Sequence, residues 1–239
     1  RRTDRLLRQL HTSAALSIEV DSGSAAYILF TSGTTGRPKG IVTGHAALPH
    51  FIDWHVREHA LTPQDRFSML SGLAHDPLLR DIFTPLSLGA TLCIPEQAEL
   101  FEPTRLVGWL QREQISIAHL TPAFGQLIAS GAEAGGTNRI ATLRRMFWGG
   151  ELLGSALLRR LSAAAPQARH VNFYGTSETP QAIAHWPVPA GCTDTTCALG
   201  QGIEGAQLLV SNSDGVLAAI AHPGEILVRT PYLAMGYLD

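Results

Sequence analysis

The chain has few cysteines and no long apolar run. Three cysteines among 239 residues exclude a disulfide framework and favour a reducing compartment, so we expect a cytoplasmic protein. Cys192 and Cys197 lie five residues apart, but the second pair of ligands that a zinc site needs is missing. No run approaches the roughly 18 apolar residues of a membrane span, so we expect no membrane partner.

Positive charge is also scarce. Eighteen Lys and Arg stand against 20 Asp and Glu, a formal net charge of -2, which offers no basic field for nucleic acid. There is no Gly-x-Ser-x-Gly nucleophile elbow, which argues against a serine hydrolase. A hydrophobic content of 45% is typical of a globular chain with a core. Because the chain lacks an initiator Met and stops abruptly, we expect a segment of a larger protein.

Strand-like and helix-like stretches alternate over residues 25–190, and this predicts an α/β fold with a mostly parallel sheet covered by helices. The predicted strands are Ala25–Thr31, Arg66–Ser71, Ala90–Ile94, Ile115–Leu120, Leu143–Trp148 and His170–Tyr174. The predicted helices are Ala46–His59, Leu78–Leu88, Thr104–Glu113, Ala123–Ser130 and Ser155–Ala165, the fourth with Thr121 as N-cap and Pro122 at its first position.

Short strands and loops replace this rhythm after Pro187. The stretches Gln207–Val210, Val216–Ala221 and Glu225–Arg229 predict a small β-meander or barrel-like subdomain. We therefore expect a leading segment (1–24), an α/β part that binds nucleotide and acyl group (25–190) and a β-rich subdomain (191–239).

The sequence FTSGTTGRPKG at residues 30–40 is typical of an anion-binding loop. Its glycines allow backbone N–H groups to turn inward, its hydroxyls add donors, and Lys39 adds a positive charge. We place it beyond the carboxyl end of a strand of the parallel sheet, where such folds bind ligands. Pro38 before Lys39, with no Ser or Thr after it, separates it from the ordinary P-loop. The alternative is a glycine-rich hairpin turn.

This loop resembles the phosphate loop of the adenylate-forming superfamily, which contains acyl-CoA synthetases, luciferases and the adenylation domains of nonribosomal peptide synthetases. The stretches Phe147–Glu151 (FWGGE), Asn172–Thr179 (NFYGTSET) and Gly224–Leu238 are similar to further blocks of that superfamily. The stretches Phe67–Ala90 and His119–Gln126 look like the adenylation domain of α-aminoadipate reductase and of bacterial adenylation–carrier–reductase synthetases. The resemblance covers about residues 25–239 and implies the partial core of an adenylate-forming enzyme.

The resemblance implies an ATP-dependent ligase that converts an amino acid carboxylate into an aminoacyl adenylate and pyrophosphate. The acyl group would then pass to the phosphopantetheine thiol of a carrier-protein domain, in cis or in trans. The implied cofactors are ATP, Mg²⁺ and that phosphopantetheine. The resemblance implies a small C-terminal domain with a catalytic lysine beyond Asp239, so we expect little activity from residues 1–239 alone. The alternatives are a stand-alone acyl-CoA ligase and a non-catalytic nucleotide-binding fragment.

The resemblance also implies nucleotide-binding residues. Those for the phosphates are Thr31, Ser32, Gly33, Thr34, Thr35, Gly36 and Lys39. Those for adenine are Gly149, Gly150, Glu151, Asn172, Tyr174, Gly175 and Thr176. The implied catalytic residues are Lys39, His75, Thr176 and Glu178, of which Glu178 would hold Mg²⁺.

The implied substrate pocket consists of Asp76, Pro77, Arg80, His119, Phe147, Gly149, Phe173, Gln181 and Ala182. Asp76 would bind the α-ammonium of an amino acid and at the same time cap a helix; the alternative is helix architecture only, an N-cap that pairs with Arg80 one turn later. His75 would be a gate beside the carboxylate, or else a packed interface histidine. Arg80 and His119 favour an acidic substrate side chain, whereas Gln181, where the aminoadipate enzymes carry Arg, argues against it.

Overall fold

The computed structural model describes residues 18–32, 38–136 and 140–238. The helices are α1 (Ala47–His59), α2 (Pro77–Leu88), α3 (Gln97–Leu100), α4 (Pro103–Arg112), α5 (Pro122–Ala134) and α6 (Ser155–Ala164). The strands are β1 (Ala25–Ser32), β2 (Pro38–Gly44), β3 (Arg66–Ser68), β4 (Thr91–Cys93), β5 (Ile117–Leu120), β6 (Arg145–Trp148), β7 (Arg169–Tyr174), β8 (Ala184–Pro187), β9 (Gln201–Gly202), β10 (Gln207–Ser211), β11 (Glu225–Arg229) and β12 (Gly236–Leu238).

A seven-stranded sheet organises the chain, in the order β4-β3-β5-β6-β7-β8-β9. The strands from β4 to β7 pair in parallel, and β8 and β9 join antiparallel. This confirms the predicted α/β class with a mostly parallel sheet. The sequence-based prediction missed the short strands β8 and β9, which contain few of the β-branched residues that signal a strand.

Both faces of the sheet are apolar because helices cover both. On one face, Trp109, Ile128 and Trp148 belong to a core cluster formed with α4, α5 and α6. On the other face, Phe147 and Phe173 join residues of α1 in a second cluster. Residues two apart on a strand share a face, so consecutive residues of β5 and β6 enter different cores. The predicted cap of α5 is confirmed, since Oγ1 of Thr121 accepts a hydrogen bond from the N–H of Phe124.

The glycine-rich loop does not belong to the parallel sheet. β1 pairs antiparallel with β2, and β12 extends this hairpin into a separate three-stranded sheet. The predicted position beyond a parallel strand is therefore wrong. The physical reason is the short connection between β1 and β2. A connection of a few residues permits an antiparallel pair, whereas a parallel pair needs a longer crossover. Residues 33–37 of this loop lie outside the described residues.

The last part of the chain contains a two-stranded hairpin, β10–β11. The predicted strand Val216–Ala221 is wrong, because Leu217 makes only a single bridge to Ser211. Oδ1 of Asn212 accepts hydrogen bonds from the backbone N–H groups of Asp214 and Val216, so these amides close a turn instead.

The division at residue 190 stays a prediction. β9 belongs to the seven-stranded sheet and β12 pairs with β2, so strands from beyond residue 190 complete both sheets of the first part. Most of the leading segment, residues 1–17, lies outside the described residues. Among the described helices, none is both long and apolar enough to cross a membrane.

Candidate active site

A cavity of about 720 Å³ lies at the carboxyl ends of the parallel strands. Its lining contains residues from both predicted sets, those for the nucleotide and those for the acyl substrate. These are Thr31, His75, Asp76, Pro77, Arg80, His119, Gly149, Gly150, Phe173, Gly175, Thr176 and Gln181. A cavity of this size is typical of small-molecule sites. The structure therefore brings together, in one space, stretches that are up to 150 residues apart in the sequence.

Parallel strands explain how these side chains meet. His119 lies near the end of β5, Gly149 directly follows β6, and Phe173 lies near the end of β7. Parallel strands all end at the same edge of the sheet, so residues at their ends become neighbours. The start of α2 brings Asp76 and Arg80 to this edge from the side.

Asp76 occupies the N-cap position of α2, but its carboxylate does not cap the helix. Oδ2 accepts a hydrogen bond of 2.6 Å from the backbone N–H of Gln181, and Oδ1 accepts one of 2.6 Å from Nε2 of the same residue. The capping interpretation of the side chain is therefore wrong. Burial raises the pKa of Asp76, opposed by the positive charge of Arg80 and by the Gln181 hydrogen bond.

Arg80 is buried, with 4% of its surface exposed, and lines the cavity. Its Nη1 donates to the backbone carbonyl of Gln181 at 3.2 Å, and its guanidinium lies 5.5 Å from the ring centre of Phe173. Among the described residues, its Nε has no hydrogen-bond partner. Within the described part of the chain, no carboxylate lies within the 4.0 Å ion-pair distance of this guanidinium. A buried cation with a free donor is well suited to an anionic ligand.

His119 belongs to a buried chain of hydrogen bonds that the sequence did not reveal. Its Nδ1 lies 2.8 Å from Oδ1 of Asp81, and its Nε2 lies 3.1 Å from Nε2 of His55. Burial lowers the pKa of His119, with Asp81 opposing this, and it holds the pKa of His55 well below its usual range. His119 is therefore neutral near pH 7. It gives the cavity a hydrogen-bonded ring rather than the second positive charge that the sequence indicated.

Two residues of the predicted pocket, Phe147 and Ala182, are buried in the core beside the cavity and are not among its lining residues. Phe147 stacks between His119 and Phe173, at ring distances of 5.1 and 5.2 Å. His75, by contrast, is exposed at the cavity rim, directly before α2.

The predicted nucleotide residues fall into two groups. Gly150, Gly175 and Thr176 line the cavity, whereas Glu151 is exposed and Tyr174 is half-buried outside its lining. Asn172 is buried, and its Nδ2 donates to the backbone carbonyl of Ala198 at 2.9 Å. In the phosphate loop, Gly33, Thr34, Thr35 and Gly36, together with the side chain of Ser32, lie outside the described residues.

Lys39, Glu178 and Tyr237 form a polar cluster beside the cavity. Oη of Tyr237 donates to Oε1 of Glu178 at 2.7 Å, and Nζ of Lys39 lies 5.5 Å from the centre of the Tyr237 ring. The Tyr237 hydrogen bond lowers the pKa of Glu178, and Lys39 lowers it further. Tyr237 was not predicted as a site residue, because only the pairing of β12 with β2 brings it here.

This donor set fits a nucleotide with Mg²⁺. Glu178 is held ionised, the form in which a carboxylate binds Mg²⁺, and Lys39 provides a positive charge for phosphate. The described residues contain no group of three or more His, Cys, Asp or Glu that could hold a metal. Mg²⁺ is often bound by one or two carboxylates together with phosphate oxygens and water, so a single carboxylate is compatible with it.

Comparisons with known proteins agree with this geometry. The family described as AMP-binding enzyme matches residues 4–238. L-2-Aminoadipate reductase of Schizosaccharomyces pombe shares 38% sequence identity with this chain, in an alignment that covers 98% of the chain. The chain spans 17% of the length of that relative.

Two solved structures show the same fold. One is a nonribosomal peptide synthetase with bound α-methyl-L-serine-AMP, at a TM-score of 0.88 and 28% identity over 96% of this chain and 26% of that chain. The other is the Vibrio cholerae adenylation domain AlmE in complex with glycyl-adenosine-5'-phosphate, at a TM-score of 0.83 and 26% identity over 94% of this chain and 43% of that chain.

Proposed function

The chain belongs to the family of AMP-binding enzymes, and from this premise we propose that it activates the carboxylate of an amino acid with ATP. One observation carries the proposal: Asp76 and Arg80 line the same cavity as Thr31, Gly150 and Thr176. An acyl substrate and a nucleotide can therefore meet in one space. The two similar structures that contain aminoacyl adenylates support the same chemistry.

In the proposed reaction, a carboxylate oxygen of the amino acid attacks the α-phosphorus of ATP. The bond between the α-phosphorus and the bridging oxygen breaks, and pyrophosphate leaves with the electron pair. Two anions must approach each other, so the protein has to position them and reduce their repulsion. Lys39 would face the phosphates, and Thr176 would donate its hydroxyl near the α-phosphate. Glu178 would hold Mg²⁺, which neutralises phosphate charge when bound.

For the substrate, we propose an amino acid with an acidic side chain. Asp76 would bind the α-ammonium, and Arg80 would bind the side-chain carboxylate. Support comes from the burial of Arg80 and from its Nε, which has no hydrogen-bond partner in the described part of the chain. The S. pombe relative, by its name, reduces L-2-aminoadipate, which is such an amino acid.

The acceptor of the activated acyl group is part of the same proposal. We infer a phosphopantetheine thiol on a carrier-protein domain, in cis or in trans, because similar proteins include nonribosomal peptide synthetases and an L-proline--[L-prolyl-carrier protein] ligase of Pseudomonas fluorescens.

Exchange between ATP and labelled pyrophosphate on the complete protein tests the proposal. Four acids of equal chain length separate the two recognition groups: L-2-aminoadipate, L-norleucine, adipate and hexanoate. We expect the fastest exchange with L-2-aminoadipate. Exchange with adipate and hexanoate but with neither amino acid would favour an acyl-CoA ligase instead. Nucleotide binding without exchange for a wider panel of acids would favour a non-catalytic module.

A further inference from the structure

Gln181 makes an unusual number of contacts across the cavity wall. Its backbone N–H and its Nε2 donate to the two carboxylate oxygens of Asp76, both at 2.6 Å. Nε2 also donates to the backbone carbonyl of Asp76 at 3.2 Å, and the Gln181 carbonyl accepts from Arg80. Gln181 itself is 5% exposed. Both donor groups of this residue are therefore already committed to Asp76.

The backbone of Gln181 is held in a conformation that few side chains adopt. Its φ is 71°, in the left-handed region, which costs a residue other than glycine about 1 kcal/mol or more. This conformation aims the N–H at Oδ2 of Asp76 while the side chain reaches Oδ1. The two short hydrogen bonds to a carboxylate offset the cost of the conformation.

We propose that Gln181 is a positioning residue, which fixes the carboxylate of Asp76 in the orientation that receives the substrate amine. The proposal rests on the proposed function, in which Asp76 binds that amine. It assigns Gln181 no contact with the substrate side chain, although Gln181 lines the cavity.

Geometry leaves room for the amine. A carboxylate has about four lone-pair sites, and Gln181 occupies one on each oxygen, so about two remain for an ammonium group. Without the Nε2 donor, one oxygen loses its partner and the carboxylate can rotate. This rotation would weaken binding of the amine. Arg80 keeps its hydrogen bond to the backbone carbonyl of Gln181, so recognition of the side chain should stay unchanged.

Gln181→Met tests the proposal in the complete protein, because it keeps the backbone N–H and the approximate size but removes the side-chain donor. The readout is the amine preference, the ratio of kcat/KM with the amino acid to kcat/KM with its deamino analogue. It is measured for L-2-aminoadipate against adipate and for L-norleucine against hexanoate. We expect Gln181→Met to lower both ratios about 10-fold or more, and to a similar extent.

Two further variants separate positioning from other roles. In a background of Asp76→Asn, adding Gln181→Met should change the amine preference less than about twofold, because the group that it positions is already lost. Gln97→Met makes the same chemical change at an exposed position of α3 and should leave both ratios unchanged. Thermal unfolding shows whether each variant folds. If Gln181→Met does not, Gln181→Leu also removes the side-chain donor, keeps the backbone N–H and must show the same fall.

Three results would overturn the proposal. Unequal falls for the acidic and the neutral side chain would make Gln181 a contact of the substrate side chain. Lower rates at an unchanged amine preference would leave it a merely structural residue. An equal fall in the Asp76→Asn background would show that it acts independently of Asp76. A wild-type enzyme with no amine preference would instead refute the proposed function, and this proposal with it.

Discussion

Replacing Arg80 with Met tests which substrate side chain the cavity accepts. Met retains much of the apolar stem of arginine but removes the positive charge. Among the described residues that line the cavity, Arg80 is the one Lys or Arg. Nη1 of Arg80 already donates a hydrogen bond to the carbonyl of Gln181, and no described residue is a hydrogen-bond partner of Nε. Nη2 lies 3.8 Å from where a Cβ on Gly149 would be, so it faces the cavity wall. We expect a substrate carboxylate to bind along the edge formed by Nε and Nη2.

The magnitude follows from these two donors. A hydrogen bond to a charged group contributes about 1.5–3 kcal/mol, and two from one guanidinium edge contribute at least about 3 kcal/mol. Since about 1.4 kcal/mol corresponds to a tenfold change, Arg80→Met should lower the preference for L-2-aminoadipate over L-norleucine about 100-fold. Most of that change should be lost activity with L-2-aminoadipate.

The assay is pyrophosphate exchange on the complete protein, with kcat/KM measured for both amino acids. Arg105→Met, which changes an exposed arginine of α4, is the matched control and should leave the ratio unaltered. If Arg80→Met reduces exchange with both amino acids equally, Arg80 supports the packing over Phe173 and does not read the side chain. That result would refute the proposed acidic substrate.

Three further predictions concern the pH dependence of stability, the packing of a helix and the proposed metal site. Burial lowers the pKa of His59 to about 3, so between that value and pH 6.5 the unfolded state binds more protons than the folded state. Acidification from pH 8 to pH 5 should therefore lower the free energy of unfolding by up to about 2 kcal/mol through this residue. In His59→Phe, the urea midpoint should depend less on pH between pH 5 and 8. Gly131→Ala in α5 should destabilise the fold by about 3 kcal/mol, because the new Cβ would overlap the backbone carbonyl of Pro103. A Cβ at Gly108 in α4 would meet nothing within 4 Å, so Gly108→Ala should stabilise the fold by up to about 1 kcal/mol. Equal urea midpoints for the two variants would contradict this packing. Glu178→Gln should lower kcat/KM for MgATP about 10-fold or more and raise the Mg²⁺ concentration needed for exchange. Tyr237→Phe removes only the hydroxyl that donates to Glu178, and it should lower kcat/KM for MgATP about 2- to 5-fold. An unchanged Mg²⁺ dependence in Glu178→Gln would show that Glu178 does not hold the metal.

Local signals predicted most of the α/β part. Thr121 and Pro122 marked the start of α5 correctly, since a cap acts within one helical turn. The predicted strand Val216–Ala221 failed for an equally local reason. Its apolar composition favours a strand, but the side chain of Asn212 binds the amides of Asp214 and Val216 and holds the chain in a turn.

The candidate site was less accessible to prediction. The family resemblance implied Asp76 and Arg80 as pocket residues, but it did not reveal the partners of their side chains. Gln181 is 105 residues from Asp76, and His55 is 64 residues from His119. Tyr237 reaches Glu178 only because β12 pairs with β2. No short-range pattern encodes such pairs, because they depend on which strands become neighbours.

The amino-acid sequence by itself determined the α/β class, the anion-binding composition of residues 30–40 and the family resemblance, because periodicity, caps and motifs act over a few residues. Only the tertiary structure decided the electrostatics of the cavity. Burial favours the neutral form of His119. Arg80 has no carboxylate of the described residues within ion-pair distance, and both carboxylate oxygens of Asp76 accept hydrogen bonds from Gln181. The physical reason is that charge state and hydrogen bonding depend on desolvation and on distant partners, and both exist only once the chain is folded.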